Sequence, residues 1–126
     1  MAKKPTIRQW KKKCDKLWAI IVRSIGHCEV CGKTENLNAH HLIGRGNYKY
    51  RYDLDNGLCL CVGHHMFNRD ISAHASMESI VGLLEWLQDN KPEQYRWFMD
   101  NKGKRDSIKP DYPAIFEYLI EMDTTF

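Results

Sequence analysis

The chain lacks any apolar run of about 18 residues, so no transmembrane helix and no membrane partner are expected. The charged start, MAKKPTIRQWKKK, is followed by no uninterrupted apolar segment and so does not resemble a secretory signal. Internal repeats and low-complexity segments are also absent. These absences favour an intracellular protein, in which five cysteines are more readily metal ligands or free thiols than a disulfide framework.

Acidic residues are scarce in the first 23 positions. That segment carries eight basic residues against Asp15 alone, a formal charge of +7, whereas the rest of the chain carries −4. A basic segment ahead of a slightly acidic body indicates a polyanionic partner such as nucleic acid. The alternative is a solvated, lysine-rich helix face with no partner.

The length of 126 residues predicts one domain, residues 1–126, with a modest core drawn from 43% hydrophobic residues. Residues 6–25 predict a helix, with a capping box at Thr6 and Gln9 and an end at Gly26. Cys14 lies on the apolar stripe and is interpreted as a core residue. The stripe consists of Ile7, Trp10, Cys14, Leu17, Trp18, Ile21 and Ile25.

Later segments predict short strands and then helices. Residues 36–43 and 53–61 are predicted to be strands, with a glycine-rich turn at 44–47 between them. Helices are expected over residues 62–70, over 76–89 behind a Ser76 cap, from Pro92 to Gly103, and from Pro113, with a polar linker at 102–110. The expected inward-facing residues of the second and fourth of these helices are Ile80, Val81, Leu84, Leu87, Ile115, Phe116, Leu119 and Ile120.

Two pairs of metal-ligand residues lie about thirty positions apart. Cys28 and Cys31 have two residues between them, as do Cys61 and His64. Two such pairs make a closed, tetrahedral Cys₃His site, which is typical of structural zinc. Cys59 stays open as an alternative to Cys61, although only Cys61 has the two-residue spacing to His64.

Adjacent histidines suggest a second site. His40 and His41 are neighbours, as are His64 and His65, and neighbouring side chains diverge on a strand or helix. One member of each pair could then serve a second site. His27 and His74 have no spacing argument and are interpreted as structural or surface residues.

The motifs CEVC at 28–31, AHHLIGR at 39–45, DNGLCLC at 55–61 and HH at 64–65 together resemble the HNH endonuclease family, the ββα-metal nucleases. The resemblance covers residues 27–70 and is closest to small standalone members from phages and bacteria. It implies an α+β fold: a zinc-stapled ββα-metal core over 27–70, flanked by the basic helix at 6–25 and a helical section at 76–122.

The resemblance implies a metal-dependent DNA endonuclease, a phosphodiester hydrolase acting on double-stranded DNA. No residue set in the sequence predicts base-specific reading in the major groove, so low sequence specificity is expected. His41 would be the general base, Asn56 would hold the loop that orients it, and His40 and His65 would bind the catalytic divalent metal. Cys28, Cys31, Cys61 and His64 would bind the structural Zn²⁺. His64 stands where the family commonly has Cys and His40 where it commonly has Asp. Imidazole ligands leave Mg²⁺, Mn²⁺, Ni²⁺ and Zn²⁺ open as the catalytic ion.

Several cations are candidates for contact with DNA phosphates. Arg45, between two glycines, ranks first, followed by Lys49 and Arg51, while Lys12 and Lys13 belong to the basic face of the first helix. We expect a monomer or weak dimer in the cytoplasm of a bacterial or phage-infected host cell. The alternatives are a non-catalytic, zinc-stabilised nucleic-acid-binding or adaptor module, and the nuclease subunit of a phage DNA-packaging machine with a terminase as partner.

Overall fold

The computed structural model describes residues 3–105 and 109–123. Over those residues the protein is α+β, with four α-helices and a two-stranded antiparallel sheet. The order is α1 Ile7–Arg23, β1 Leu37–His41, β2 Gly57–Cys61, α2 Met77–Asn90, α3 Pro92–Asn101 and α4 Tyr112–Met122. None of the helices in this part of the chain is long and apolar enough to span a bilayer.

Helix α1 has the predicted N-terminal cap. The Thr6 hydroxyl accepts the Gln9 N–H and the Gln9 side chain accepts the Thr6 N–H, which satisfies two of the otherwise unpaired donors of the first turn. The helix ends at Arg23, two residues earlier than predicted, with Ser24 as its C-terminal cap. Gly26 follows with a positive φ of 83°. Cys14 and Trp18 are buried, which confirms Cys14 as a core residue.

The strands are shorter than the sequence predicts. Leu37 pairs with Cys61 and His41 with Gly57, so the register places His41 beside the first residue of β2. Residues 53–56 are not part of β2, because the Asp53 carboxylate accepts the Asp55 N–H and starts a 3₁₀ turn, Leu54–Asn56. All five residues of β2 are buried, whereas β1 is half-buried.

Two groups of side chains form the core. In the first, Leu58 and Leu60 of β2 pack with Leu83 and Leu87 of α2. In the second, Trp18 and Cys14 of α1 belong with Leu119 and Tyr112 of α4, and Ala39 of β1 packs against them. The sheet therefore lies between the two groups: β2 packs into the first, and β1 contributes Leu37 to the first and Ala39 to the second.

The predicted helix at 62–70 is only partly present, because the chain is no longer helical beyond Phe67. Only a π-helical turn, Gly63–Phe67, is present. Asn68 then adopts extended backbone, and its side-chain carbonyl accepts the N–H groups of Asp70 and Ile71. A local side-chain partner for these donors competes with helix continuation, so the chain turns away at Asn68.

The remaining helices start within one residue of the predicted positions. Ser76 caps α2 with its hydroxyl, α3 begins at Pro92, and α4 begins at Tyr112 behind an Asp111 cap. Two predicted core residues are wrong: Val81 is 49% exposed and Ile120 is 44% exposed. Residues 106–108 of the predicted linker lie outside the described residues.

Candidate metal centres and active site

Cys28, Cys31, Cys61 and His64 converge on one point, with their ligand atoms all within 4.8 Å of one another. The Cys31 and Cys61 sulfurs are 3.8 Å apart, and His64 Nδ1 lies 3.3 Å from Cys61 Sγ and 3.8 Å from Cys28 Sγ. A tetrahedral zinc ion with Zn–S bonds of about 2.3 Å separates its sulfurs by about 3.8 Å. The four side chains therefore fit a zinc ion, and the metal-binding group predicted from the spacing is confirmed at this level.

Local structure brings these four ligands together. Gly32, with a φ of 79°, lets the chain turn back after Cys31, and its N–H donates to the Cys28 carbonyl. Burial disfavours a thiolate at Cys61, but hydrogen bonds from the His64 N–H, the Cys31 and Cys28 side chains and the Gly63 N–H outweigh it and lower the pKa of this thiol. A lowered thiol pKa favours the deprotonated form that binds metal.

Cys59 is not part of this group. It is fully buried, and burial raises the pKa of its thiol to about 11. Its backbone instead joins the turn at Cys28–Cys31 to β2. Glu29 N–H donates to the Cys59 carbonyl, the Cys59 N–H donates to the Glu29 carboxylate, and Lys91 pairs with that same carboxylate. Among the two alternatives left open by the sequence, the geometry favours Cys61.

A second cluster consists of His40, His65 and His74, whose ligand nitrogens also lie within 4.8 Å of one another. Their ring centroids are 4.9 to 5.3 Å apart. Burial lowers the pKa of His40 to about 3, and the neighbouring His65 and His74 add to this effect. Three imidazoles with their ligand nitrogens this close together form a donor set suited to a divalent transition metal.

His74 is the residue that sequence reasoning missed. It lies nine positions after His65, beyond the turn at Asn68, where no fixed ligand spacing applies. The Ala73 N–H donates to the His64 carbonyl, which draws the loop before α2 back over the histidine pair. His74 is exposed, as the sequence interpretation of a surface residue predicts, but its ring also belongs to this cluster.

His41, at the end of β1, lines a cavity that it shares with the three histidines of this cluster. This cavity has a volume of about 300 Å³ and is lined by Ala39, His40, His41, Gly44, Arg45, His65 and His74. No carboxylate is among these described lining residues, so the donors around it are imidazoles and one guanidinium. Burial lowers the pKa of His41 to about 4, so the ring is neutral at physiological pH.

Two contacts fix the His41 ring. Its Nε2 lies 2.9 Å from the Arg51 carbonyl oxygen, which can only accept, so Nε2 carries the proton and Nδ1 is an acceptor. Its face stacks on the Trp18 indole, with centroids 3.8 Å apart and planes 11° apart. The ring thus has a defined tautomer and a defined plane.

Asn56 ties together the loop between the strands. Its side-chain carbonyl accepts the Ile43 N–H at 2.6 Å, and its amide group donates to the carbonyls of Ile43 and Tyr50. The side chain is fully buried. Asn56 therefore holds both ends of the loop that follows His41 and contains Arg45.

The predicted cations differ in their surroundings. Arg45, Lys49, Lys12 and Lys13 are exposed, and only Arg45 lines the histidine cavity. Arg51 is 5% exposed and forms a two-pronged ion pair with Asp15, while its third contact is the Arg45 carbonyl. These internal partners occupy Arg51, so it has little left to offer a phosphate. Arg105, which the sequence reading did not select, lines a shallow cavity with Gly44 and Gly46.

Comparisons of the chain with protein-family models, with curated proteins and with solved structures find no significant match. The assignment of a function therefore depends on the side chains and geometry described above.

Proposed function

We propose that the protein is a metal-dependent DNA endonuclease of the HNH, ββα-metal type, which hydrolyses phosphodiester bonds. One observation carries the proposal: an oriented, neutral histidine shares a cavity with three histidines that could hold a metal. A zinc-binding group or a basic helix alone would not require that arrangement. β1 supplies His40 and His41, and the turn at Gly63–Phe67 supplies His65, in the order that the family resemblance implies.

His41 would act as the general base. Its Nε2–H donates to the Arg51 carbonyl, which leaves Nδ1 free to accept a proton from water. A neutral imidazole held at one angle can remove that proton as the water attacks phosphorus. Asn56 supports this role indirectly, because it holds Ile43, two residues after His41, and Tyr50, the residue before Arg51.

The second metal group would consist of His40, His65 and His74. A divalent ion there would neutralise charge on the phosphate oxygens and stabilise the leaving 3′ oxygen. With three imidazoles and no carboxylate among the described lining residues, the site favours Mn²⁺, Ni²⁺ or Zn²⁺ over Mg²⁺. Arg45 in the cavity wall would add a fixed positive charge toward the phosphate.

The exposed cations support a nucleic-acid substrate. Lys12 and Lys13 on α1, Lys49 in the loop and Arg105 after α3 are all solvent-accessible, and Arg105 lies across a cavity from the loop that contains Arg45. Such contacts address the phosphate backbone and carry no sequence information. The expected binding is therefore salt-dependent and of low sequence specificity.

Plasmid cleavage by the purified zinc-loaded protein tests the proposal, with Mg²⁺, Mn²⁺, Ni²⁺ and additional Zn²⁺ supplied separately. We expect nicking or linearisation with at least one transition metal. His41→Ala should lose about a hundredfold or more in rate, because removing a general base typically costs 10²- to 10⁴-fold. His27→Ala is the matched control, since His27 is exposed and contacts neither the cavity nor the His40 cluster.

The alternative is a zinc-stabilised binding module without catalysis, which the Cys₃His group and the basic helix would also explain. Metal stoichiometry separates the two. A nuclease should bind a second transition-metal ion that is lost in a His40→Ala, His65→Ala variant, whereas a module should bind only the ion held by the cysteines. No cleavage with any metal, together with a single bound ion, would contradict the endonuclease proposal.

A further inference from the structure

We propose that α1 is the positioning element for the active site, and that Trp18, Asp15 and Arg51 hold His41 in its reactive orientation. The inference builds on the proposed function, since it concerns the same histidine. It goes beyond the family motif, because two of the three residues lie on a helix outside residues 27–70. α1 would then serve catalysis through its buried face in addition to any contact of its basic face with DNA.

Trp18 fixes the plane of the His41 ring. The indole lies flat on the imidazole at a centroid distance of 3.8 Å and is itself 2% exposed. The indole cannot rotate freely, because its Nε1–H donates to the Asp53 carbonyl at 3.1 Å, in the turn that leads to Asn56. Rotation of His41 out of its plane would therefore break an aromatic stack against a side chain that is locked in place.

Asp15 and Arg51 fix the direction in which the ring points. The carbonyl that accepts His41 Nε2–H belongs to Arg51. The guanidinium of the same residue makes two hydrogen bonds of 2.9 Å to the Asp15 carboxylate. Tyr52, the next residue, donates its hydroxyl to Asp15 at 2.8 Å. One carboxylate on α1 thus clamps two consecutive residues around the peptide that sets the His41 tautomer.

The two constraints act on different motions. A stack limits tilting of the ring, and an in-plane hydrogen bond limits rotation within the plane. Together they aim Nδ1 in one direction, although neither Trp18 nor Asp15 lines the cavity itself. Catalytic groups lose rate steeply when misplaced, by about a hundredfold for a shift near 1 Å. Positioning residues of this kind should affect turnover more than substrate binding.

The test compares Trp18→Leu, Trp18→Phe and Asp15→Asn in the zinc-loaded protein with the activating metal. We expect kcat to fall about tenfold or more in Trp18→Leu and Asp15→Asn, with KM and metal stoichiometry nearly unchanged. Trp18→Phe keeps an aromatic face and should recover most of the lost kcat. Trp10→Leu is the matched control, because Trp10 lies on the same helix and packs against Phe116, away from His41.

A second readout does not need activity. The imidazole ¹⁵N spectrum of the zinc-loaded protein should show His41 protonated at Nε2, and this pattern should be lost or mixed in Trp18→Leu and Asp15→Asn. Should Trp18→Leu not fold, Asp15→Asn carries the same test, since the Asp15 side chain is 38% exposed.

Retention of the wild-type ¹⁵N pattern in the folded variants would overturn the inference. An equal fall of kcat in Trp10→Leu and Trp18→Leu would do so as well, since it would indicate general loosening of α1. If the wild-type protein cuts no DNA with any metal and binds a single ion, the endonuclease proposal fails independently, and the ¹⁵N spectra still decide whether α1 positions His41.

Discussion

Asn56 shows how much one buried side chain can hold in place. Its amide satisfies three backbone groups of the loop between β1 and β2. Asn56→Ala would leave a buried N–H and two carbonyls without this partner, and each unsatisfied group costs about 1–3 kcal/mol. We therefore expect the free energy of unfolding to fall by at least about 2 kcal/mol, measured by urea denaturation.

Asn90→Ala provides the comparison for Asn56→Ala, because Asn90 is exposed at the end of α2. Its effect should stay within about 0.5 kcal/mol, as for ordinary surface positions. Similar urea midpoints for the two variants would show that the loop does not depend on the Asn56 amide.

Asp15 should make stability depend on acid pH. Burial of the carboxyl group opposes ionisation, but hydrogen bonds from Arg51 and Tyr52 outweigh it and hold the pKa of Asp15 below its ordinary value. A carboxylate with a lowered pKa in the folded state stabilises that state above its ordinary pKa of about 3.9. This contribution is lost as the pH falls from about 5 through the folded-state pKa.

Urea unfolding at a series of pH values measures the Asp15 effect. Wild-type stability should fall more steeply than that of Asp15→Asn between about pH 5 and pH 2, because the variant has no carboxyl group to protonate there. Asp100→Asn, at an exposed position of α3, should keep the wild-type slope. Parallel curves for wild type and Asp15→Asn would contradict the prediction.

Ligands at short, regular spacing were accessible to sequence reasoning, and ligands from a loop were not. Cys28 with Cys31, and Cys61 with His64, lie on single turns whose geometry follows from the spacing. His74 reaches its cluster only because the loop folds back, which no local pattern records. Arg51 reads as a surface cation in the sequence, since its partner Asp15 lies 36 positions away.

At the scale of elements, α2 sets the position of the loop that carries His74. A Cβ atom at Gly82 would overlap the backbone carbonyl oxygen of Asp70, so α2 approaches this loop more closely than a side chain allows. Gly82→Ala gains about 0.5–1 kcal/mol in helix propensity. The clash involves backbone, which cannot rotate away, and should cost about 1–3 kcal/mol, so it decides the outcome.

We expect Gly82→Ala to lower the free energy of unfolding and to weaken binding of the second metal ion, while the ion of the Cys₃His group stays bound. Urea denaturation and isothermal titration with Ni²⁺ on the zinc-loaded protein measure the two effects. Gly46→Ala is the comparison, since a Cβ there meets no atom within 4 Å. If Gly82→Ala is destabilised but binds Ni²⁺ with unchanged affinity, the position of α2 does not affect the histidine cluster.

The sequence predicts well where a helix starts when a side chain caps that end. It predicts less well where a helix without such a cap ends, and which face of a helix is buried. Ser76 and Thr6 determine the starts of α2 and α1 through hydrogen bonds within four residues, which are local properties of the sequence. The side chains that α2 buries depend on β2, and the buried positions are Ser79, Leu83 and Leu87. Val81 lies between them in sequence and faces out, because tertiary packing selects the face.

For the whole molecule, the Cys₃His group joins segments that are far apart in sequence. The knuckle at Cys28 and Cys31, the end of β2 at Cys61 and the turn at His64 meet there. Binding of structural zinc contributes about 10–16 kcal/mol in small zinc domains, as much as the total stability of a typical domain. Removing the ion with a strong chelator should therefore unfold the protein, with loss of the helical circular dichroism signal.

Two cysteine variants provide the controls for zinc removal. Cys61→Ser should lose the bound zinc, whereas Cys59→Ala should retain it, because Cys59 lies outside the ligand group. Elemental analysis of the purified variants measures the zinc content. A native spectrum after verified removal of zinc would contradict the structural role of the ion.

The charge of the molecule is concentrated on α1, where exposed Lys12 and Lys13 stand apart from the buried face that contacts His41. If these lysines contact phosphates, each should contribute about 0.9 to the slope of log K against log salt. Lys12→Gln with Lys13→Gln should reduce that slope by up to about 2, measured by fluorescence anisotropy on a short duplex. Lys33→Gln with Arg96→Gln removes the same charge from exposed positions outside α1. An equal reduction of the slope in that control would mean that net charge, and not a track along α1, governs binding.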